Sequence, residues 1–253
     1  MAEQPGGQCL TCGTHTKNRC AACGKAGIDL FFCSASCQKT LWVGHRLFCG
    51  RHAFPPLFPL LQPDESRLVR SKMYAPILGG DDGPISIYDE YLVHWYTCPE
   101  AEYAVSALVE GSAYDREQPD ARGTSHNQRV LIILRMALCF QTTKSERNDI
   151  LSALSEKWYR LLCDGVFPMD VRDTTREQAI LFHHIVAVVT LMRVKGQSDV
   201  RDRESAMRGF QCQFRMIDYA KQHISAEASE KVSANVSPAM HGFSGILRQI
   251  VNR

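Results

Sequence analysis

The sequence predicts a small metal-stapled module followed by a larger all-α domain, and two observations predict it. Eight metal-ligand residues crowd one stretch: Cys9, Cys12, Cys20, Cys23, Cys33, Cys37, His45 and Cys49, spaced C-x2-C-x7-C-x2-C-x9-C-x3-C-x7-H-x3-C. Beyond them apolar residues recur at helical intervals. No alternating strand pattern of useful length appears, and no internal repeat.

Four ligands are what a closed structural zinc site takes, so eight imply two sites and two Zn2+. The remaining roughly 200 residues suffice for one ordinary domain with its own core. Hydrophobic content of 45% and charged content of 22% are those of a soluble globular chain. No apolar run approaches the ~18 residues of a membrane span. The first residues lack the basic start and apolar core of a signal peptide. Seven of the 11 cysteines lie in the ligand series, and Cys98, Cys139, Cys163 and Cys212 are scattered singly. That distribution fits a metal site and buried free thiols in a reducing compartment better than a disulfide scaffold. An intracellular protein is expected, cytoplasmic or nuclear and not secreted.

The formal charge of +2 counts cysteine as neutral. Seven zinc-bound thiolates and two dications bring it to about −1. The module carries Lys17, Arg19, Lys25, Lys39 and Arg46 against Asp29, or about +1 with its metals counted. Neither value is a nucleic-acid footprint.

The elements follow in order. Residues 1–8 read as a flexible lead, 9–49 as the metal module, 50–63 as a proline-rich linker and 64–253 as the helical domain. Pro55, Pro56, Pro59 and Pro63 preclude a regular helix in the linker and favour extended conformations. Gly79-Gly80-Asp81-Asp82-Gly83 reads as a turn. Tyr88, Tyr91, Leu92 and Trp95 predict a helix over 85–97, with a short one after Pro99 and a loop over 111–124. Ser125 is a candidate N-cap for a helix to about residue 142. Thr143 with Glu146 resembles a capping box for a helix with the stripe Ile150, Leu151, Leu154, Trp158, Leu161 and Leu162, ended by Gly165 and Pro168. Thr174 with Glu177 repeats the pattern for a helix to about Lys195, stopped by Gly196. It is apolar nearly all round and is therefore expected at the centre. Residues 199–224 predict an amphipathic helix with Met207, Phe210, Phe214, Ile217 and Tyr219. Ser237-Pro238 opens a terminal helix through Ile246, Leu247, Ile250 and Val251.

Within the module, each C-x2-C knuckle offers two thiolates from a tight turn. The C-x3-C and H-x3-C pairs have i,i+4 spacing, which places both side chains on one face of a helix over 34–48, loosened at Gly44. Two tetrahedral sites result, paired sequentially or interleaved; spacing alone does not decide.

The run Phe32-Cys33-Ser34-Ala35-Ser36-Cys37-Gln38-Lys39-Thr40-Leu41-Trp42-Val43-Gly44-His45-Arg46-Leu47-Phe48-Cys49 resembles the second half of a MYND zinc finger. It matches every position of aromatic-C-S-x-x-C-Q-x-x-x-W-x-x-H-x-x-x-C. Cys9, Cys12, Cys20 and Cys23 match the first half. The resemblance implies a cross-braced module with Cys9, Cys12, Cys33 and Cys37 on one ion and Cys20, Cys23, His45 and Cys49 on the other. It also implies a surface that takes proline-containing peptides, often P-x-L-x-P, with Gln38 and Trp42 taking part. All eight ligands are used, so neither ion keeps the open position that catalysis requires.

The linker itself carries Pro55-Pro56-Leu57-Phe58-Pro59, which fits P-x-L-x-P. An inter-chain contact through Pro55, Leu57 and Pro59 is one expectation, and a spacer packed on the helices is the other. Reach in cis is at most ~18 Å over the residues after Cys49. Some MYND proteins are lysine methyltransferases with the finger inside a β-rich domain, but no strand-rich sequence follows here.

His183-His184 point about 100° apart on a helix and cannot share a metal. One is expected in the core and the other partly exposed. No G-x-S-x-G, P-loop, H-E-x-x-H or calcium-loop pattern is present. The reading is therefore an adaptor or regulatory protein, not an enzyme, whose zinc finger recruits a proline-containing partner. The alternatives are a nucleic-acid-associated regulator, with Arg201, Arg203 and Arg208 on one helix, and an enzyme with an unrecognised site among the helices.

Overall fold

The computed structural model describes residues 6–72, 76–80, 83–86, 125–138, 146–193 and 199–235. The expected helices over 85–97 and after Pro99, the loop over 111–124, the Gly196 stop and the terminal helix from Ser237 lie outside them, apart from residues 85 and 86.

The metal-ligand region folds as β1 (Gly7–Gln8), β2 (His15–Thr16), α1 (Ala21–Lys25) and α2 (Ala35–His45), followed by two 3-10 turns, Arg46–Phe48 and Gly50–His52. β1 and β2 pair antiparallel, with Gly7 opposite Thr16. Ser34 caps α2 by accepting from the Cys37 amide at 3.2 Å. The helix passes through Gly44 without interruption and stops at His45, so the expected helix over 34–48 is shorter.

Helix α3 (Pro63–Lys72) begins with Pro63 at its first position and Asp64 and Glu65 in its first turn. Glu65 accepts from the Gln62 amide at 2.7 Å. The hairpin β3 (Pro76–Gly80) and β4 (Gly83–Ser86) then brackets residues 81 and 82, with Gly80 opposite Gly83. This hairpin is a small exception to the all-α expectation, and it takes the first two residues of the helix expected from 85.

The helical body comprises α4 (Ser125–Leu138), α5 (Glu146–Cys163), α6 (Arg176–Arg193), α7 (Asp199–His223) and α8, residues 226–235. The α5 stripe is buried as expected, from Ile150 to Leu162. After α5, Gly165 turns the chain with φ of 73° while its amide and that of Val166 bond the carbonyls of Leu162 and Leu161. The capping box of α6 is one residue later than the sequence predicted. Thr175 Oγ1 accepts from the Gln178 amide and Gln178 Oε1 accepts from the Thr175 amide.

Helix α6 is the centre of the body, packed by α2, α5 and α7. The buried face of α7 keeps Phe210 of the expected stripe and otherwise differs from it. Cys212, Gln213, Met216 and Ala220 turn inward, while Met207 and Phe214 are exposed. The close approach of α6 selects this face: a Cβ on Gly209 would lie 2.9 Å from Met192 Sδ. Helix α8 had no sequence expectation, because only Ala228 and Val232 of its short, polar sequence meet the core.

The proline-rich segment is packed on the helices. Phe58 is fully buried, and its amide donates to Gln128 Oε1 of α4 at 2.7 Å. Its ring touches Phe48 of the finger and Phe182 of α6, with centroids 5.2 and 5.8 Å away. Phe48 and Phe182 meet at 4.8 Å, Phe182 and Trp158 at 5.0 Å, and Trp158 stacks on Phe167 at 4.0 Å. One buried cluster thus runs from Leu10 and Phe32 of the finger through Phe58 to α5, α6 and α7. A buried ion pair anchors the same segment. Arg135 of α4 donates to both oxygens of Glu65 at 3.2 and 3.3 Å and to the Leu60 carbonyl at 2.9 Å.

Candidate functional site

The eight ligand residues arrive from turns and helix ends. Cys9 and Cys12 sit on a knuckle closed by the Gly13 amide on the Cys9 carbonyl at 2.8 Å. Gly13 has φ of 80°, a conformation that other residues rarely adopt. Cys20 precedes α1 and Cys23 lies within it. Cys33 precedes the cap of α2, Cys37 is in its first turn, His45 is its last residue, and Cys49 follows the 3-10 turn. The two i,i+4 pairs therefore straddle the ends of α2 instead of lying on one helical face.

The geometry resolves the pairing. Cys9, Cys12, Cys33 and Cys37 bring their ligand atoms together within 4.8 Å of one another, as do Cys20, Cys23, His45 and Cys49. A tetrahedron with zinc–sulfur bonds of 2.3 Å has sulfur–sulfur edges of about 3.8 Å. The first cluster shows 3.5 Å for Cys12–Cys33, 3.5 Å for Cys33–Cys37 and 3.8 Å for Cys37–Cys12. The second shows 3.6 Å for Cys20–Cys49, 3.9 Å for Cys23–Cys49 and 3.7 Å from Cys23 to His45 Nε2. Both clusters fit a zinc ion, in the interleaved arrangement. Each closes a loop across the other, which is how a module with little core of its own is held.

Electrostatics point the same way. Hydrogen bonding from Cys23 and then His45 favours the Cys20 thiolate. The hydrogen bond with Cys20 and burial push the Cys23 thiol up. One negative sulfur is accommodated and its neighbour is resisted, as expected where like charges share a site. A dication supplies the opposite charge that lets all of them ionise.

Beside the aromatic cluster around Phe48, further contacts seat the finger on the body. Gly44 lies against α6, where a Cβ would come within 1.9 Å of Thr190 Oγ1. His45 packs edge-on against His183, whose Nε2 stands 3.2 Å from the Ala53 carbonyl. From α7, Arg215 donates to the carbonyls of Leu10 and Thr11 at 3.3 and 3.0 Å. As expected, one histidine of the pair is in the core and the other, His184, is partly exposed.

With Leu41, Gly44 and His45 turned inward, the opposite face of α2 is left to solvent. Trp42 is 44% exposed on that face. Gln38, four residues earlier, is on the same side of the helix and partly exposed. The two residues that the sequence singled out for peptide contact are therefore adjacent.

Between the finger and helices α6 and α7 lies a cleft of about 550 Å3 bordered by Asp29, Phe31, His184 and Tyr219. Arg176 bonds Asp29 across it at 3.0 Å. Burial, with Arg215 and His223 nearby, pushes His184 down to about 3, so its imidazole is neutral. Burial pushes Tyr219 up to about 12. Among the described residues of the cleft, no side chain stands at hydrogen-bond distance from another as nucleophile and base. The contacts there are those that hold the finger to the helices.

Residues 9–49 match the family model of the MYND finger. No curated protein matches the chain, and no solved structure does. MYND fingers are zinc-binding protein-interaction modules without catalytic activity of their own. Among the described residues, no helix is long and apolar enough to cross a membrane.

Proposed function

We propose that this chain is an adaptor or regulatory protein whose MYND finger takes a short proline-containing peptide, of the P-x-L-x-P type, on the exposed face of α2, with Gln38 and Trp42 in contact with it. The exposed indole of Trp42 carries the reading. In so small a module a tryptophan is the natural core residue. Here Phe48, Leu41 and Phe32 fill the interior, and Trp42 is turned outward. Aromatic faces of this kind are what proline-rich segments dock on.

The peptide belongs to a partner. Donating the chain's own Pro55, Leu57 and Pro59 to a second copy would pull Phe58 out of the aromatic cluster. Phe58 is 1% exposed, and removing a buried phenylalanine from its site costs about 3–5 kcal/mol.

The helical body serves as a platform, since α6 and α7 grip the finger from behind and leave the peptide face free. An enzymatic reading would look first to the cleft beside His184, and no described side chains pair there as nucleophile and base. The near-neutral net charge of the chain with zinc bound gives nucleic acid no general electrostatic attraction.

The test is fluorescence anisotropy with a labelled P-x-L-x-P peptide and the full chain. Saturable binding that Trp42→Ala weakens at least tenfold, with both zinc ions retained, is expected. Equal binding by wild type and variant would move the site elsewhere.

A further inference from the structure

The solvent face of α2 carries more than Trp42. Lys39 and Arg46 are exposed on it, three residues before and four residues after the indole. That spacing makes all three neighbours on one helical face. Arg46 caps the helix in αR geometry, with φ of −56° and ψ of −26°, so the stripe continues past the last residue of α2. Neither cation has an ion-pair partner among the described residues. Asp29 is the only carboxylate in residues 9–49. It is committed to Arg19 and, across the cleft, to Arg176 of α6.

We infer that the partner peptide is acidic as well as proline-containing, with two carboxylates three residues apart that meet Lys39 and Arg46 while an intervening proline covers Trp42. This inference rests on the proposed peptide site.

The spacing follows from helix geometry. Seven residues of α-helix separate Lys39 from Arg46, a rise of about 10.5 Å. A polyproline II segment has three residues per turn and rises about 9 Å over them, so residues i and i+3 share a face at nearly that distance. A regular extended strand of the same length would put those residues on opposite faces. A pattern acid-Pro-x-acid in a proline-rich segment therefore fits the stripe.

The zinc sites carry the opposite sign, since four thiolates on one dication and three on the other leave net negative charge. That charge is spread over thiolates of which Cys9, Cys20 and Cys23 are buried and Cys12, Cys33, Cys37 and Cys49 only partly so, whereas Lys39 and Arg46 are exposed and flank the indole on the face a ligand meets. Two cations beside one aromatic ring are too few for a nucleic-acid footprint, and they match the scale of a short peptide.

The experiment uses the zinc-loaded full chain and three peptides: Pro-Ala-Leu-Glu-Pro-Ala-Glu, its counterpart with both Glu replaced by Gln, and a peptide with the same Glu spacing but no proline. Exposed ion pairs contribute modestly, so the Glu peptide should bind roughly 2- to 30-fold tighter than the Gln peptide at low salt. The gap should close at about 0.5 M salt. The double variant Lys39→Gln, Arg46→Gln should bind the Gln peptide as wild type does and lose the preference for Glu. Equal affinity of the two proline peptides would overturn this inference alone. A preference that survives in the double variant would overturn it too, as would tight binding of the proline-free acidic peptide, the signature of unspecific polyanion binding. Failure of both proline peptides to bind would remove the peptide site and this inference together.

Discussion

Phe48→Ala removes a finger residue whose ring lies against Phe58 and Phe182, with centroids at 5.2 and 4.8 Å and no solvent exposure. Phe48 is within the segment that matches the MYND finger, so a finger that folded by itself would confine the damage. The shared aromatic cluster dictates otherwise. Truncating a fully buried phenylalanine costs about 3–5 kcal/mol in transfer and cavity energy, a large part of the 5–15 kcal/mol by which domains are stable. In a chain of this size each kcal/mol shifts the midpoint by about 2–4 °C, so the melt should fall by about 6–20 °C. The assay follows helical circular dichroism and zinc release, by a chromogenic chelator, in one thermal ramp. Both signals should move down together. Phe214→Ala, at a side chain that is 54% exposed, should leave both within about 1–2 °C. An unchanged helical transition with early zinc release would refute a common core.

Gly44→Ala should cost about 1–3 kcal/mol by overpacking against Thr190, and adding Thr190→Ala should recover part of it in a double-mutant cycle. Glu65→Ala leaves Arg135 buried without its carboxylate and should destabilise by about 3–5 kcal/mol, read by urea titration. Zinc uptake must displace protons from thiols whose titration is pushed up, Cys23, Cys37 and Cys49 among them. Because protons compete with the metal, zinc affinity should fall as pH falls and rise as pH rises. Titration in buffers of different ionisation heat reads the proton release, and native mass spectrometry should count two zinc ions per chain.

The metal sites were almost wholly legible in the sequence, because ligand chemistry tolerates so few residue types at so few spacings. The pairing was not, since either arrangement satisfies four ligands per ion; the resemblance implied the interleaved one and the sulfur positions show it. Helices with their own buried stripe, such as Ile150 to Leu162, were legible for the same local reason. What escaped depends on partners distant in sequence. Phe58 lies in a segment whose prolines speak only of an irregular backbone, and nothing local shows that its ring enters a core built from α5 and α6. On α7, Phe210 is buried as its pattern predicts, but Met207 and Phe214 are exposed despite being apolar, because the packing is decided by Gly209 and the carbonyls of the Cys9 knuckle. Gly44 looked like a weak point of α2 and is the place where the finger meets α6 most closely.

The central claim is that the finger stays fixed on its helices and reads a peptide with the outer face of α2. The chain has three tryptophans and hence three indole N–H signals in a nitrogen-15 correlation spectrum. Titration with a P-x-L-x-P peptide should shift the Trp42 signal, assigned by Trp42→Phe, and leave that of buried Trp158 in place. A saturating peptide that leaves Trp42 unmoved, or moves Trp158 as much, would contradict the account.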